Sequence, residues 1–225
     1  MASKSRTRPM PHRIAFLIAV SVILLLLSGC AKKYTFNFKT EMDSENGEGA
    51  WYENGEFDYT DLGAYIEGGA LVSPFRFGGD FKVEIDFLSN IGDDHYMQWL
   101  EFYLIDSDDW SYGSWIGLGM HMLSNAHGST WIGQKDSFTE GFTVPLAGFV
   151  LDGHNKLTIS KTGDVVRVTL GTHAYPPITV EEENQVDFYN FIMVGYDDTN
   201  LLGKGVYIEK VVVTYEDGNR VAVTP

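Results

Sequence analysis

The chain contains a single cysteine, Cys30, so no disulfide can close within it. Proline is scarce, at 7 of 225 residues, and no serine- or threonine-rich tract occurs. These two shortages exclude a long stiff linker or a mucin-like stalk. Positive charge is also short, with 16 Lys and Arg against 31 Asp and Glu. Four of those bases, Lys4, Arg6, Arg8 and Arg13, lie before residue 30 and every acid lies after it, so the chain from residue 30 onward carries 12 bases, 31 acids and a formal charge of −19. Such a surface repels phosphate backbones and excludes nucleic acid as a partner. The longest apolar run, "IAFLIAVSVILLLL" from Ile14 to Leu27, has 14 residues, short of the roughly 20 that span a bilayer as a helix. Past it, no segment holds a 3.6-residue apolar period with caps. There is no G-x-S-x-G elbow, no glycine-rich loop between a strand and a helix, and no internal repeat.

What is present at the N-terminus has the form of an export signal. A basic, acid-free segment, Met1 to Arg13, leads into the short apolar run. The next residues, Leu27, Ser28, Gly29 and Cys30, resemble the lipobox of bacterial lipoproteins. The resemblance implies cleavage before Cys30, diacylation of its thiol and acylation of the new amino terminus. Two or three acyl chains hold a protein on a membrane where one alone binds marginally. Ala31 and Lys32 follow, with no aspartate directly after the cysteine. By resemblance to enterobacterial sorting, that favours the outer membrane over the inner and leaves open which side the domain faces. The expected organisation is a signal peptide over 1–29, a lipidated cysteine and short tether over 30–33, and one domain over 34–225. At ~3.4 Å per residue, that tether reaches about 10 Å.

The remainder reads as all-β. Runs rich in Val, Ile, Phe, Tyr and Trp alternate with Gly, Asp and Asn clusters. "YTFNF" (Tyr34 to Phe38) is the first expected strand. In "FKVEIDFL", Phe81, Val83, Ile85 and Phe87 share one face, opposite Lys82, Glu84 and Asp86. "WLEFYLI" sets Trp99, Glu101 and Tyr103 opposite Leu100, Phe102 and Leu104. "WIGLGMHM" sets Ile116, Leu118, Met120 and Met122 opposite Trp115 and His121. "NKLTISKTGDVVRVTLG" predicts a hairpin around Thr162-Gly163-Asp164. "FYNFIMVGY" is apolar almost throughout and predicts a strand covered on both faces. Strands with one apolar face need a second layer, and two packed antiparallel sheets supply it.

The order of these segments resembles that of the concanavalin A-like jelly-roll sandwiches, the laminin-G, lectin and glucanase group. "GDFKVEIDF" is similar to one of their strands. The L-x-I-x-K-x-G-x-x-V-x-V hairpin is similar to their paired central strands. "YIEKVVV" is similar to their closing strand, with Glu209 where aspartate is usual. The resemblance spans most of residues 34 to 215 and implies an antiparallel two-sheet jelly roll. Members of this group bind glycans, cleave them or do neither, so the fold leaves activity open.

Three constellations carry candidate chemistry. Glu84-Ile-Asp86 has part of a glucanase signature, E-[IL]-D-x-x-E, but Ser89 stands where the second glutamate belongs, and glycoside hydrolysis needs two carboxyls. Both acids are therefore expected on a solvent-facing strand surface. The second constellation is aromatic. A glycan site presents Trp or Tyr faces with polar acceptors between them. Trp99, Glu101 and Tyr103, beside Trp115 and His121, form such a set, although either face of their strand could be the inward one. Trp110 and Trp131, expected in loops, are the further candidates. The third is a calcium loop at Asp106, Asp108 and Asp109, whose oxygens suit the ion but lack the EF-hand spacing. Turn chemistry alone also favours aspartate there.

The reading that follows is a lipid-anchored, non-catalytic jelly-roll protein of the bacterial envelope, binding carbohydrate or another envelope ligand. Two alternatives remain beside it: a glycoside hydrolase-like enzyme with Glu101 as its acid, and a structural or adhesive envelope protein.

Overall fold

The computed structural model describes residues 31–39, 51–90, 98–106, 115–122, 128–143, 147–150, 152–197 and 205–223. Cys30 and the export-type segment lie outside them, as do Trp110, Asp108 and Asp109. The described chain is strand almost throughout, with one 3-10 turn at Glu182–Asn184. The strands are β1 (Ala31–Asn37), β2 (Tyr52–Thr60), β3 (Gly63–Gly78), β4 (Phe81–Asn90), β5 (Gln98–Ile105), β6 (Trp115–Met122), β7 (Gly128–Gln134) and β8 (Ser137–Thr143). They continue as β9 (Asp152–Thr162), β10 (Val165–Leu170), β11 (His173–Ala174), β12 (Ile178–Thr179), β13 (Phe188–Asp197), β14 (Gly205–Glu216) and β15 (Arg220–Ala222).

Pairing runs β11-β10-β9-β4-β14-β3-β13-β5-β6-β7-β8, with β1 beside β14, β12 beside β10, and β2 and β15 beside β3. The path curls on itself because β3 serves two layers. Its first residues, Ala64 and Tyr65, pair with β14, whereas Gly68 to Gly78 pair with β13. Beside this change of partner, Gly55 of β2 faces Gly69 at φ +131, and a Cβ on it would come within 2.1 Å of the Gly68 carbonyl oxygen. Only glycine permits that approach of two backbones at that φ. The result is a back layer (β10, β9, β4, β14) and a front layer (β3, β13, β5, β6, β7, β8), the all-β antiparallel jelly-roll sandwich expected from the alternation.

The core lies between the layers and follows the period of two. Phe81, Val83, Ile85 and Phe87 of β4 are all buried, as are Leu100, Phe102 and Leu104 of β5 and Ile116, Leu118 and Met120 of β6. Phe102 stacks on Phe191 of β13 at 6.5 Å and 8°. Trp51 meets Phe191 edge-on at 6.0 Å and packs against Phe36 and Phe38, which tie β1 and its end into the same core. The strand β1 begins at Ala31, three residues ahead of the expected Tyr34. The hairpin turn falls at Gly163 and Asp164, between Thr162 and Val165, as the sequence predicts.

Candidate functional site

The front layer turns Trp99, Glu101, Tyr103 and Ile105 of β5 away from the core, because Leu100, Phe102 and Leu104 occupy it. Backbone register then sets cross-strand rows on that outer face. In the first row Tyr196 of β13 pairs with Trp99, which pairs with His121, which pairs with Ser129 of β7. In the second, Val194, Glu101, Gly119 and Trp131 follow one another. In the third come Ile192, Tyr103, Gly117 and Gly133. Such neighbours lie about 4.8 Å apart between strands, with about 6.8 Å between rows.

Trp131 was expected in a loop; it is instead a half-buried residue of β7. The segment "GSTWIGQ" hides its strand because glycine and small polar residues interrupt its alternation, and pairing with β6 and β8 supplies the order. The indole lies across β6, over Gly117 and Gly119. Its Nε1–H donates to Glu101 Oε1 at 3.2 Å, and the Tyr103 hydroxyl donates to Glu101 Oε2 at 2.8 Å. Trp131 is 5.5 Å from the ring centroids of both Tyr103 and Trp115, and Trp115 meets Tyr103 edge-on at 5.9 Å. Burial foremost, then the Glu101 charge and hydrogen bond, pushes the Tyr103 phenol well above its usual range, so it stays a proton donor. Ile105, Ile192 and Ala70 close a small apolar patch beneath Trp115 and Tyr103.

Next to this fixed cluster stands an exposed aromatic pair. Trp99 is 40% accessible and Tyr196 is 49%, with ring centroids 6.1 Å apart. Sequence reading missed Tyr196 because it ends an apolar run and carries no alternation of its own. His121 holds the backbone position across from Trp99. Of the remaining candidates, Asp106 follows β5 at a bend, half-buried, while Asp108, Asp109 and Trp110 lie outside the described residues. Among the described residues no three His, Cys, Asp or Glu side chains come together as a metal site.

The partial glucanase signature falls on the other layer. Glu84 and Asp86 of β4 point outward into a ladder of ion pairs. Lys82 reaches Glu84 at 2.9 Å, Lys156 reaches Glu84 at 3.1 Å and Asp86 at 3.7 Å, and Lys210 reaches Asp86 at 3.0 Å. The Lys82 bond foremost, with Lys156 also contributing against the effect of burial, holds the Glu84 carboxyl below its ordinary range. A carboxylate so held is a poor general acid. Farther along, Glu209 sits at a β-bulge in β14, 9% accessible, where Lys39 pairs with one oxygen and His154 Nδ1 lies 2.8 Å from the other. Asp86, Val150, His154, Asn155, Lys156 and Glu209 line a groove of about 430 Å³ there.

No family model and no curated protein matches the chain. Solved structures share its fold. The CBM2 module of Lactobacillus casei BL23 phage J-1 evolved Dit has a TM-score of 0.59 at 14% identity, covering 86% of this chain and 98% of that one. The metal-free carbohydrate recognition domain of Emp46p has a TM-score of 0.56 at 9% identity, covering 81% and 95%. The Crh5 transglycosylase in complex with NAG has a TM-score of 0.50 at 16% identity, covering 83% and 85%. At these identities the likeness is one of fold. The chain has a jelly-roll fold that carbohydrate-recognition and glycan-processing domains also use.

Proposed function

We propose that this protein is a non-catalytic glycan-binding domain held at the bacterial envelope by a lipidated Cys30. The observation that carries the reading is the outer face of the front layer. There Trp131 and Tyr103 fix a carboxylate, Glu101, beside the exposed Trp99 and Tyr196 rings. Sugars offer C–H faces to aromatic rings and hydroxyl protons to acceptors, and this face presents both kinds of partner within two rows of one sheet. Support for the non-catalytic reading is that the acids matching part of the glucanase signature, Glu84 and Asp86, lie on the other layer and are tied to Lys82, Lys156 and Lys210, which makes Glu84 a poor general acid.

The test is a polysaccharide pull-down and glycan array with the chain from residue 31, compared with Trp99→Ala and Tyr196→Ala. Binding that both variants weaken supports the reading. Absence of binding across diverse glycans overturns it, as does binding indifferent to both changes. Oligosaccharide cleavage that Glu101→Gln abolishes would replace it with the enzymatic alternative.

A further inference from the structure

Charge is distributed unequally between the two layers. The strands β13, β5, β6, β7 and β8 contain no Lys or Arg at all, in a chain that has 16. The four back-layer strands β4, β9, β10 and β14 contain Lys82, Lys156, Lys161, Arg167 and Lys210. Acids do enter the front rows. Glu101 is central, Glu140 of β8 holds the backbone position across from Trp131, and Glu56 of β2 pairs with Gly68, which pairs with Tyr196. The basic residues of this layer's β3 and of the turn after β7 are at its far end. Arg76 pairs with Asn190, which pairs with Ile105, and Lys135 follows β7. Ile105 is six residues from Trp99 along β5, about 20 Å at the rise of an extended strand.

Resting on the glycan-binding reading above, we infer that the ligand of this face is a neutral glycan, and that the face rejects glycans carrying uronate, sulfate or phosphate. An anionic substituent stacked on Trp99 would lie two residues along β5 from Glu101, about 7 Å, and three strands from Glu56, about 14 Å, with no Lys or Arg among the described residues of those rows to offset them. Glu101 cannot turn away, because Trp131 and Tyr103 hold both of its oxygens. At separations below the screening length of about 8 Å in physiological salt, a half-buried carboxylate is incompletely shielded. Facing one anionic group, it costs about tenfold in affinity. A neutral sugar meets no such penalty, and its hydroxyls donate to carboxylates.

The experiment uses neutral polysaccharides and the charged derivatives of the same backbones: dextran with dextran sulfate, and hydroxyethyl cellulose with carboxymethyl cellulose. Affinity is measured in low salt and at physiological ionic strength for the chain from residue 31, for Glu101→Gln and for Glu56→Gln. The expected result is binding of at least one neutral backbone with its charged derivative at least about tenfold weaker. That gap should narrow in Glu101→Gln, narrow less in Glu56→Gln, and narrow with added salt. Read in the low-salt arm, where screening extends to about 30 Å at 0.01 M, the exposed Glu56 keeps the test valid if the Glu101 variant folds poorly. A charged derivative that binds as tightly as its neutral parent, or more tightly, overturns this inference and leaves glycan binding standing. Failure of every neutral and charged glycan overturns the glycan reading itself.

Discussion

Trp131 reaches Glu101 because residue 119 has no side chain. The indole Nε1–H donates to Glu101 Oε1 at 3.2 Å, and a Cβ on Gly119 would lie 1.8 Å from that same nitrogen. Gly119→Ala must therefore evict the ring, at the ~1–3 kcal/mol typical of overpacking. We expect a melting temperature lowered by several degrees, red-shifted tryptophan emission and lost ligand binding. Gly68→Ala is the control: nothing lies within 4 Å of its added Cβ, and its melting temperature should barely move.

The exposed and the fixed aromatics should separate in mutagenesis. Trp99→Ala and Tyr196→Ala remove side chains that are 40% and 49% accessible, so stability should change little. Binding should fall about thirtyfold, the equivalent of ~2 kcal/mol for a lost aromatic anchor. Trp131→Ala should lose both stability and binding. Paired calorimetric melts and titrations distinguish the two patterns.

The Tyr103 phenol gives an alkaline signature. Its folded pKa lies above the unfolded value of about 10. The neutral form is thus favoured by folding, and that contribution is complete below pH ~10. It drains as pH rises further, because the unfolded chain then gives up a proton that the folded chain keeps. Denaturant unfolding between pH 8 and about 11.5 should show a falling limb that Tyr103→Phe makes shallower. Ultraviolet titration should show one fewer late-ionising tyrosine in that variant.

Glu209 joins β14 to Lys39, which follows β1, and to His154 of β9. The Phe38 N–H also donates to the Glu209 carbonyl at 3.0 Å. Glu209→Ala should cost about 1 kcal/mol, since the carboxylate is nearly buried while water can reach its partners Lys39 and His154, whose side chains are 34% and 73% accessible. Lys39→Ala should cost less, its side chain being 34% accessible. Amide exchange in the variants should quicken first in β1.

Cys30 is tested in the full chain by metabolic labelling with a palmitate analogue. Wild type should incorporate the label and partition into detergent, while Cys30→Ser should do neither. Labelling retained by Cys30→Ser would end the lipoprotein reading.

Much of the fold was legible because burial obeys a period of two. In β4 every apolar position of the alternation, Phe81, Val83, Ile85 and Phe87, is buried at 4% accessibility or less. In β5 the same rule left two choices of face, and the sequence alone could not choose between them. The choice depends on which side β6 and β13 also fill, and Phe191 and Leu118 fill the side of Phe102. The cluster around Glu101 was half legible. Trp99, Glu101, Tyr103 and Trp115 share the expected surface, but Trp131 reaches it from a strand with weak alternation. Glu209 was legible as a motif position and not as an ion-pair hub, because Lys39 and His154 lie 170 and 55 residues away in sequence.

Since β3 lends backbone hydrogen bonds to both layers, neither layer is a separable half. Pulling β3 from β13 also strips β14 of a neighbour, and the Phe102–Phe191 interior then opens from both sides. Damage of that kind does not stay local: the strand works as a shared beam, so strain placed on one sheet is passed to the other.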